Sequence, residues 1–126
     1  MSYCAAKRIS GFAMNIDTLP SLLNQNPGLI VVKFQADWCK PCRRIEPHVK
    51  KWLDRRPQWV HAYIVDVDED SRLYSYYVNK RLVRGIPAII VFAQGNTTPI
   101  FDDSVNSSDL GEIDTFFAKW FRLPVL

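Results

Sequence analysis

Three short apolar runs, separated by longer amphipathic stretches, set the pattern of hydrophobic positions along this chain. They cover residues 29–34, 59–67 and 88–92 and are rich in β-branched and aromatic side chains. Runs of this length and composition are typical of strands buried on both faces of a sheet. A turn at residues 94–96 follows the third run, and we expect residues 98–102 to return as its hairpin partner.

The stretches between the runs have the spacing of amphipathic helices. The first predicted helix runs from residue 19 to about 26, the second from 40 to about 55 and the third from 71 to about 79. A last helix, rich in phenylalanine, is expected to begin after an N-cap at Asn106 or Ser107. Helices and strands therefore alternate over most of the chain.

This alternation predicts the fold class. With a weaker strand pattern at residues 8–14, the predicted order is β-α-β-α-β-α-β-β-α. Strands separated by helices are expected to pair in parallel, and the closing hairpin is expected to add an antiparallel edge. The sequence therefore predicts a three-layer α/β/α domain around a mixed sheet of four to five strands. We assign this domain to residues 8–126 and a loose N-terminal extension to residues 1–7.

Composition excludes several classes of protein. The chain has 126 residues, of which 48% are hydrophobic, and this suits one domain with its own core. A net charge of +3 is too small to argue for nucleic acid as a partner. The longest apolar runs are too short to cross a membrane, and the first residues lack the apolar core of a secretory signal. We therefore expect a reducing, cytoplasmic setting.

Two of the three cysteines, Cys39 and Cys42, fall where the first apolar run meets the second predicted helix. The start of a helix has unpaired N–H groups and the positive end of the helix dipole, and both favour a thiolate over a thiol. Cysteines three residues apart in a first turn can close or open a small disulfide by exchange. Pro41 between them is tolerated there, because its missing N–H has no helical partner in a first turn.

Two other uses of this cysteine pair fit the residues less well. A purely structural disulfide between positions so close in sequence constrains the unfolded chain little. A zinc site needs four ligands, and the spacings of Cys4, His48 and His61 match no common zinc pattern. We therefore predict no metal site. We expect Cys4 to be an exposed, unpaired thiol, with a regulatory or intermolecular disulfide as a minor alternative.

Several motifs around the pair resemble the thioredoxin family. The run F-x-A-x-W-C-x-P-C at residues 34–42 is similar to the active-site signature of thioredoxins, which is usually W-C-G-P-C. Pro47 matches the proline that kinks the following helix, and R-G-I-P at residues 84–87 matches the segment that carries the family's cis-proline. Phe92 and Gly95 fit the F-x-x-G turn that comes next. The resemblance implies a thioredoxin fold.

The resemblance also implies a role for each site residue. Cys39 would attack a disulfide of a substrate protein, and Cys42 would resolve the mixed disulfide. In this family the substrate groove contains a cis-proline, and the backbone of the residue before it pairs with the bound peptide. Here the groove would be formed by Trp38, Gly85, Ile86 and Pro87.

Two residues place the chain on the thioredoxin branch, whose members reduce disulfides. Disulfide isomerases usually have histidine and glutaredoxins tyrosine where Pro41 stands, and both commonly have a different residue in place of Ile86. The resemblance therefore implies a protein-disulfide reductase without a bound cofactor, whose partners are disulfide-containing substrate proteins and an NADPH-dependent thioredoxin reductase that recharges it. We expect a monomer with no nucleic-acid or membrane partner.

Lys40 stands between the cysteines, where thioredoxins usually have glycine. An ammonium near Cys39 favours its thiolate, stabilises the reduced form and makes the pair a stronger oxidant. Alternatively, the side chain swings into solvent and has little effect. A more oxidising exchanger, similar to a disulfide oxidase or isomerase, thus stays open as a second function. A third is a thioredoxin-fold binding module, although such a module need not keep both cysteines.

Lys33 is the larger departure from the family. Thioredoxins usually have a buried aspartate there, which is thought to relay a proton to or from the resolving cysteine, and the lysine that partners it falls at Ile64 in this chain. A buried, unpaired ammonium is costly. Lys33 must therefore reach solvent, pair with an acid such as Glu46 or Asp66, or stay neutral, and we expect it to reach solvent.

Overall fold

The computed structural model describes residues 13–125. Its helices are α1 (Leu19–Asn24), α2 (Lys40–Asp54), α3 (Arg72–Asn79) and α4 (Leu110–Phe121). Its strands are β1 (Leu29–Gln35), β2 (Val60–Asp66), β3 (Ala88–Ala93) and β4 (Asp103–Val105). The extension assigned to residues 1–7 and most of the strand predicted at 8–14 lie outside the described part, and residues 13 and 14 are not in a strand. None of the described helices has the length and apolar character needed to cross a bilayer.

The four strands form one mixed sheet in the order β2-β1-β3-β4. β1 pairs in parallel with β2, whereas β3 runs antiparallel to β1 and β4 runs antiparallel to β3. The expectation that helix-separated strands all pair in parallel is therefore wrong for β3. The segment after α3 delivers the chain to the sheet edge at which β1 ends, so that Ala88 lies opposite Phe34 and β3 runs back along β1.

The side chains of β1 alternate between two hydrophobic cores. Ile30, Val32 and Phe34 join a core with residues of α1 and α3. Leu29 and Val31 join a second core with residues of α2 and α4. β1 is buried on both faces, which explains its nearly continuous apolar pattern. The predicted three-layer α/β/α architecture is confirmed.

The last strand begins later than the hairpin pattern indicates. None of residues 98–102 is in a strand, and β4 starts at Asp103. Pro99 has no N–H to donate to a sheet ladder. The Asn96 side chain organises this stretch as a loop, because its Oδ1 accepts from the Thr98 N–H at 2.9 Å and its Nδ2 donates to the Ile100 carbonyl at 2.9 Å.

The last helix is capped by Asp109, so the predicted cap at Asn106 or Ser107 is wrong. Asp109 is extended, with ψ of 120°, and its Oδ2 accepts from the Glu112 N–H at 2.9 Å. The hydroxyl of Ser107 accepts from the Asp109 N–H at 2.9 Å and supports the turn before the helix. Asn106 is engaged elsewhere, at the candidate site.

A polar cluster joins α2 to α4. Trp52 Nε1 donates to Asp114 Oδ1 at 2.8 Å, and the same oxygen lies 2.5 Å from His48 Nε2. Burial alone favours the neutral acid, but the hydrogen bonds from Trp52 and His48 bring the pKa of Asp114 below its usual value. The cluster fixes α2, the helix that begins at the cysteine pair, against α4.

Candidate active site

The cysteine pair stands at the junction between β1 and α2. Cys39 and Cys42 are joined by a disulfide, with their Cα atoms 5.2 Å apart. Cys39 is the N-cap of α2, and its Sγ accepts from the Cys42 N–H at 3.2 Å. Pro41 lies in the first turn, where a missing N–H has no helical partner to lose. The extended conformation of Cys39 and the helical turn that follows it thus bring both sulfurs together.

The two sulfurs differ more in their position relative to α2 than in their exposure to solvent. Cys39 is 3% exposed and Cys42 is 2% exposed. The Cys39 sulfur, however, sits at the positive end of a 15-residue helix and accepts a backbone N–H there. Both interactions stabilise a thiolate at Cys39 once the disulfide is opened.

Trp38, which directly precedes Cys39, is largely exposed. It is 66% exposed, and its Nε1 donates to Asp68 Oδ2 at 2.8 Å. Asp68 lies in the acidic turn after β2, where its own N–H donates to Asp66 Oδ1 at 2.8 Å. The turn after one strand therefore anchors the indole that follows the neighbouring strand.

The segment at residues 84–87 contacts the disulfide. The Ile86–Pro87 peptide bond is cis, and the Ile86 carbonyl oxygen lies 3.8 Å from Cys39 Sγ. The cis bond implied by the resemblance is therefore present. The segment borders a groove of about 390 Å³. Its lining is formed by Pro41, Arg84, Gly85, Ile86, Pro87, Asn106, Ser107 and Ser108.

Lys33 is buried, so the expectation that it reaches solvent is wrong. Its side chain is 1% exposed, and its Nζ donates to Gln35 Oε1 at 2.7 Å. The two side chains stand on the same face of β1, because they are two residues apart. Burial lowers the pKa of Lys33 from 10.5 to about 8, against a smaller raising effect of the Glu46 carboxylate.

By the resemblance to thioredoxins, this amine takes the place of the family's buried carboxylate. Lys33 stands opposite Ile64 in β2, the position at which the resemblance places the lysine partner of that carboxylate. The acid that acts on it, Glu46, follows Cys42 by four residues, or about one turn of α2. The helix that carries the cysteines thus also carries the carboxylate that acts on the Lys33 amine.

Lys40 is the first residue of α2 and is exposed, so its charge acts on the sulfurs through solvent. The following Arg43 is tied back to the turn, since its guanidinium donates to the Asp37 carbonyl at 2.5 Å. Within residues 13–125, no three side chains of the metal-ligating types form a cluster. Cys4 lies outside this range.

Three polar residues that sequence reasoning did not assign to the site contribute to its geometry: Gln35, Asp68 and Asn106. Their positions along the chain, at or just after the ends of strands, are the signal that could have indicated this role. β1, β2 and β4 all end at the same edge of the sheet, at which β3 begins. Residues at or just after the carboxyl ends of these strands therefore meet at the disulfide, as ligand sites do in other open α/β sheets.

A C-x-x-C disulfide at the start of a helix that follows a central strand, beside a cis-proline that directly precedes the neighbouring strand β3, defines a domain of the redox-active disulfide class. A family model described as Thioredoxin matches residues 12–120. This match covers most of the chain, and the chain belongs to the thioredoxin family.

Individual relatives agree with this assignment. Thioredoxin-2 of Pyricularia oryzae is 38% identical over 66 residues, which are 52% of this chain and 36% of that protein. Thioredoxin-1 of Saccharomyces cerevisiae is 36% identical over 67 residues, which are 53% of this chain and 60% of that protein. The chain thus spans between about a third and three fifths of these relatives. The structure of Trichomonas vaginalis thioredoxin superposes with a TM-score of 0.69 at 25% identity, covering 86% of this chain and 93% of that one.

Proposed function

We propose that the protein is a thioredoxin-like protein-disulfide reductase. The observation that carries this proposal is the Cys39–Cys42 disulfide, with its first sulfur capping α2 and lying 3.8 Å from the carbonyl oxygen before the cis-proline. This arrangement offers a stabilised thiolate and, next to it, backbone that an extended peptide could pair with. The family assignment and the names of the relatives support it.

The reaction follows from the positions of the two sulfurs. The Cys39 thiolate attacks one sulfur of a substrate disulfide, forms a mixed disulfide and releases the other substrate sulfur as a thiolate. The Cys42 thiolate then attacks Cys39 Sγ, which forms the Cys39–Cys42 disulfide and releases the second substrate thiolate. Two electrons pass from the protein to the substrate, and both released thiolates take protons from solvent. Trp38 and the 85–87 segment hold the substrate during both steps.

The partners follow from the same electron balance. A dithiol that is oxidised in each turnover must be reduced again, and we propose an NADPH-dependent thioredoxin reductase as the donor. Such a cycle runs in a reducing compartment, for which we propose the cytoplasm, as part of electron transport that maintains cell redox balance. We propose that the protein acts as a monomer on disulfide-containing proteins.

The reduction potential of the pair tests the direction of electron flow. A reductase is expected near about −270 mV, whereas an isomerase or a strong oxidase is expected at about −180 or −120 mV. Lys40→Gly is expected to lower the potential by at most about 20 mV, because exposed charges contribute up to about 1 kcal/mol and 30 mV corresponds to about 1.4 kcal/mol. The potential is measured by equilibration with glutathione.

Insulin reduction is measured alongside the potential. A low potential together with turnover supports the reductase, and a high potential supports the more oxidising exchanger toward which Lys40 points. No turnover together with tight binding of a partner protein would assign the chain to the binding modules instead.

Lys33 is proposed to modulate the resolving step. The family's carboxylate is replaced here by an amine that is mostly protonated at pH 7, since its pKa is about 8. A cation does not accept the proton of the Cys42 thiol, so resolution depends less on a buried base than in relatives that have the acid. We expect Lys33→Asp to accelerate single-turnover reduction of a protein disulfide at pH 7 by about 10-fold or more.

The matched control for this variant is Lys51→Asp, which makes the same change of charge at an exposed position of α2. Rates are followed by stopped-flow tryptophan fluorescence between pH 5.5 and 9. The same rate and the same pH profile in Lys33→Asp and wild type would remove Lys33 from the mechanism.

A further inference from the structure

We propose that Asn106 is the positioning residue that holds the 84–87 segment in place for substrate binding. The proposal deepens the proposed function, since it concerns the groove in which a substrate peptide would bind. Asn106 follows β4 directly, at the sheet edge that carries the disulfide. The segment it holds lies about twenty residues earlier in the chain and leads into β3.

The Asn106 side chain makes three hydrogen bonds, and all of them go to this segment. Its Oδ1 accepts from the Arg84 N–H at 2.7 Å. Its Nδ2 donates to the Gly85 carbonyl at 3.0 Å and to the Pro87 carbonyl at 2.9 Å. The segment offers one N–H donor and two carbonyl acceptors, and these fix the orientation of the amide. Rotating the amide by 180° would place its NH₂ group against the N–H and its oxygen against the carbonyl oxygens. An asparagine is therefore required, rather than any small polar residue.

The segment depends on such support because it lies outside the sheet and helices. Residues 81–87 are turn, bend or irregular, and the ladder of β3 begins only at Ala88. Gly85 has φ of +144°, a conformation that glycine adopts without steric cost. Bonds from one side chain to the carbonyls on both sides of Ile86 thus fix the position of the Ile86 peptide group.

Ile86 is the point at which this support reaches the chemistry. Its carbonyl oxygen lies 3.8 Å from Cys39 Sγ, and it belongs to the groove that Asn106 also lines. A shift of this carbonyl changes where a bound disulfide sits relative to the attacking sulfur. Asn106 itself contacts neither cysteine in the observed hydrogen bonds, so it acts through the segment.

The test compares Asn106→Ala with Asn96→Ala. Asn96 is also a loop asparagine whose amide bridges backbone groups, but it lies beyond the far end of β3. We expect Asn106→Ala to raise KM for reduction of a protein disulfide by about 10-fold with kcat within about twofold, and Asn96→Ala to leave both unchanged. Asn106→Asp is expected to match the alanine variant, because its carboxylate would face two carbonyl oxygens.

Two further readouts separate positioning from general damage. The rate with the small disulfide 5,5′-dithiobis(2-nitrobenzoate), which does not fill the groove, is expected to be the same in all variants. Hydrogen exchange of the Arg84 amide is expected to speed up by about 10-fold or more in Asn106→Ala alone. Unchanged exchange, or an equal loss with both disulfides, would overturn the proposal. If wild type reduces no protein disulfide, the proposed function fails, while the exchange measurement still decides the positioning role.

Discussion

Replacing Cys39 with serine is expected to lower the rate of protein-disulfide reduction by at least about 1000-fold, because a hydroxyl is not ionised near neutral pH and the thiolate is the attacking species. Cys39 is also the N-cap of α2, and serine accepts the same backbone N–H. The variant therefore keeps its fold, and the loss can be assigned to chemistry. The rate is measured by insulin reduction with dithiothreitol as the electron source.

Two other cysteine-to-serine variants complete this test. Cys42→Ser is expected to lose steady-state turnover as well, because the first attack still occurs but the mixed disulfide is not resolved. Cys4→Ser changes the third cysteine of the chain and is expected to turn over at the wild-type rate. Substantial turnover by Cys39→Ser, or loss of turnover in Cys4→Ser, would contradict the assignment of the pair.

The second large effect concerns stability and pH at Lys33. The unfolded lysine titrates near 10.5 and the folded one near 8, so between these values the unfolded state binds more protons than the folded state. The free energy of unfolding therefore rises with pH across this window. Between pH 8 and 9.5, the free energy of unfolding of wild type is expected to rise by about 2 kcal/mol relative to that of Lys33→Met. The rise relative to pH 8 approaches about 3 kcal/mol at higher pH.

Urea titrations of the oxidised proteins measure this difference, since Cys39 and Cys42 do not titrate while their disulfide is intact. Burial raises the pKa values of Tyr74 and Tyr77, which lowers stability above about pH 10, but both are present in each protein and cancel in the comparison. Lys51→Met removes an exposed lysine of α2 and serves as the control. Its free energy of unfolding is expected to differ from that of wild type by the same amount at every pH. If the difference between wild type and Lys33→Met were also the same at every pH, the Lys33 amine would not be desolvated in the fold.

Much of this fold could be predicted because its signals are local. β1 and β3 are buried on both faces and appear in the sequence as apolar runs, interrupted in β1 only by Lys33 and its last residue, Gln35. The direction of β3 could not be predicted from the same signals, because it depends on the edge of the sheet to which a connection returns. The start of β4 was displaced by Pro99 and by the Asn96 side chain, which organise the preceding loop.

The site likewise contains residues that local motifs predict and residues whose role depends on the fold. The cysteines, Trp38 and the Pro87 segment were predictable from motifs whose spacing is short. Lys33 stands out in the sequence as unusual, but its burial depends on the packing of α2 and α4 against this face of β1, which also places Glu46 where it acts on the amine. Asn106 is, with Ser107, one of two residues that the sequence predicts as the cap of α4, since an asparagine before a helix is a common signal. Its contacts with residues 84–87 depend on two strands ending and beginning at one edge, which no local pattern records.

The measurement that tests the central claim most directly is the identity of the trapped intermediate. Reduced Cys42→Ser is mixed with an equimolar peptide that contains one disulfide, quenched with acid, digested and mapped by mass spectrometry. The expected result is a mixed disulfide between the peptide and Cys39, with the second peptide cysteine released as a thiol and Cys4 unmodified. An adduct on Cys4, or no adduct while the peptide stays oxidised, would contradict the account.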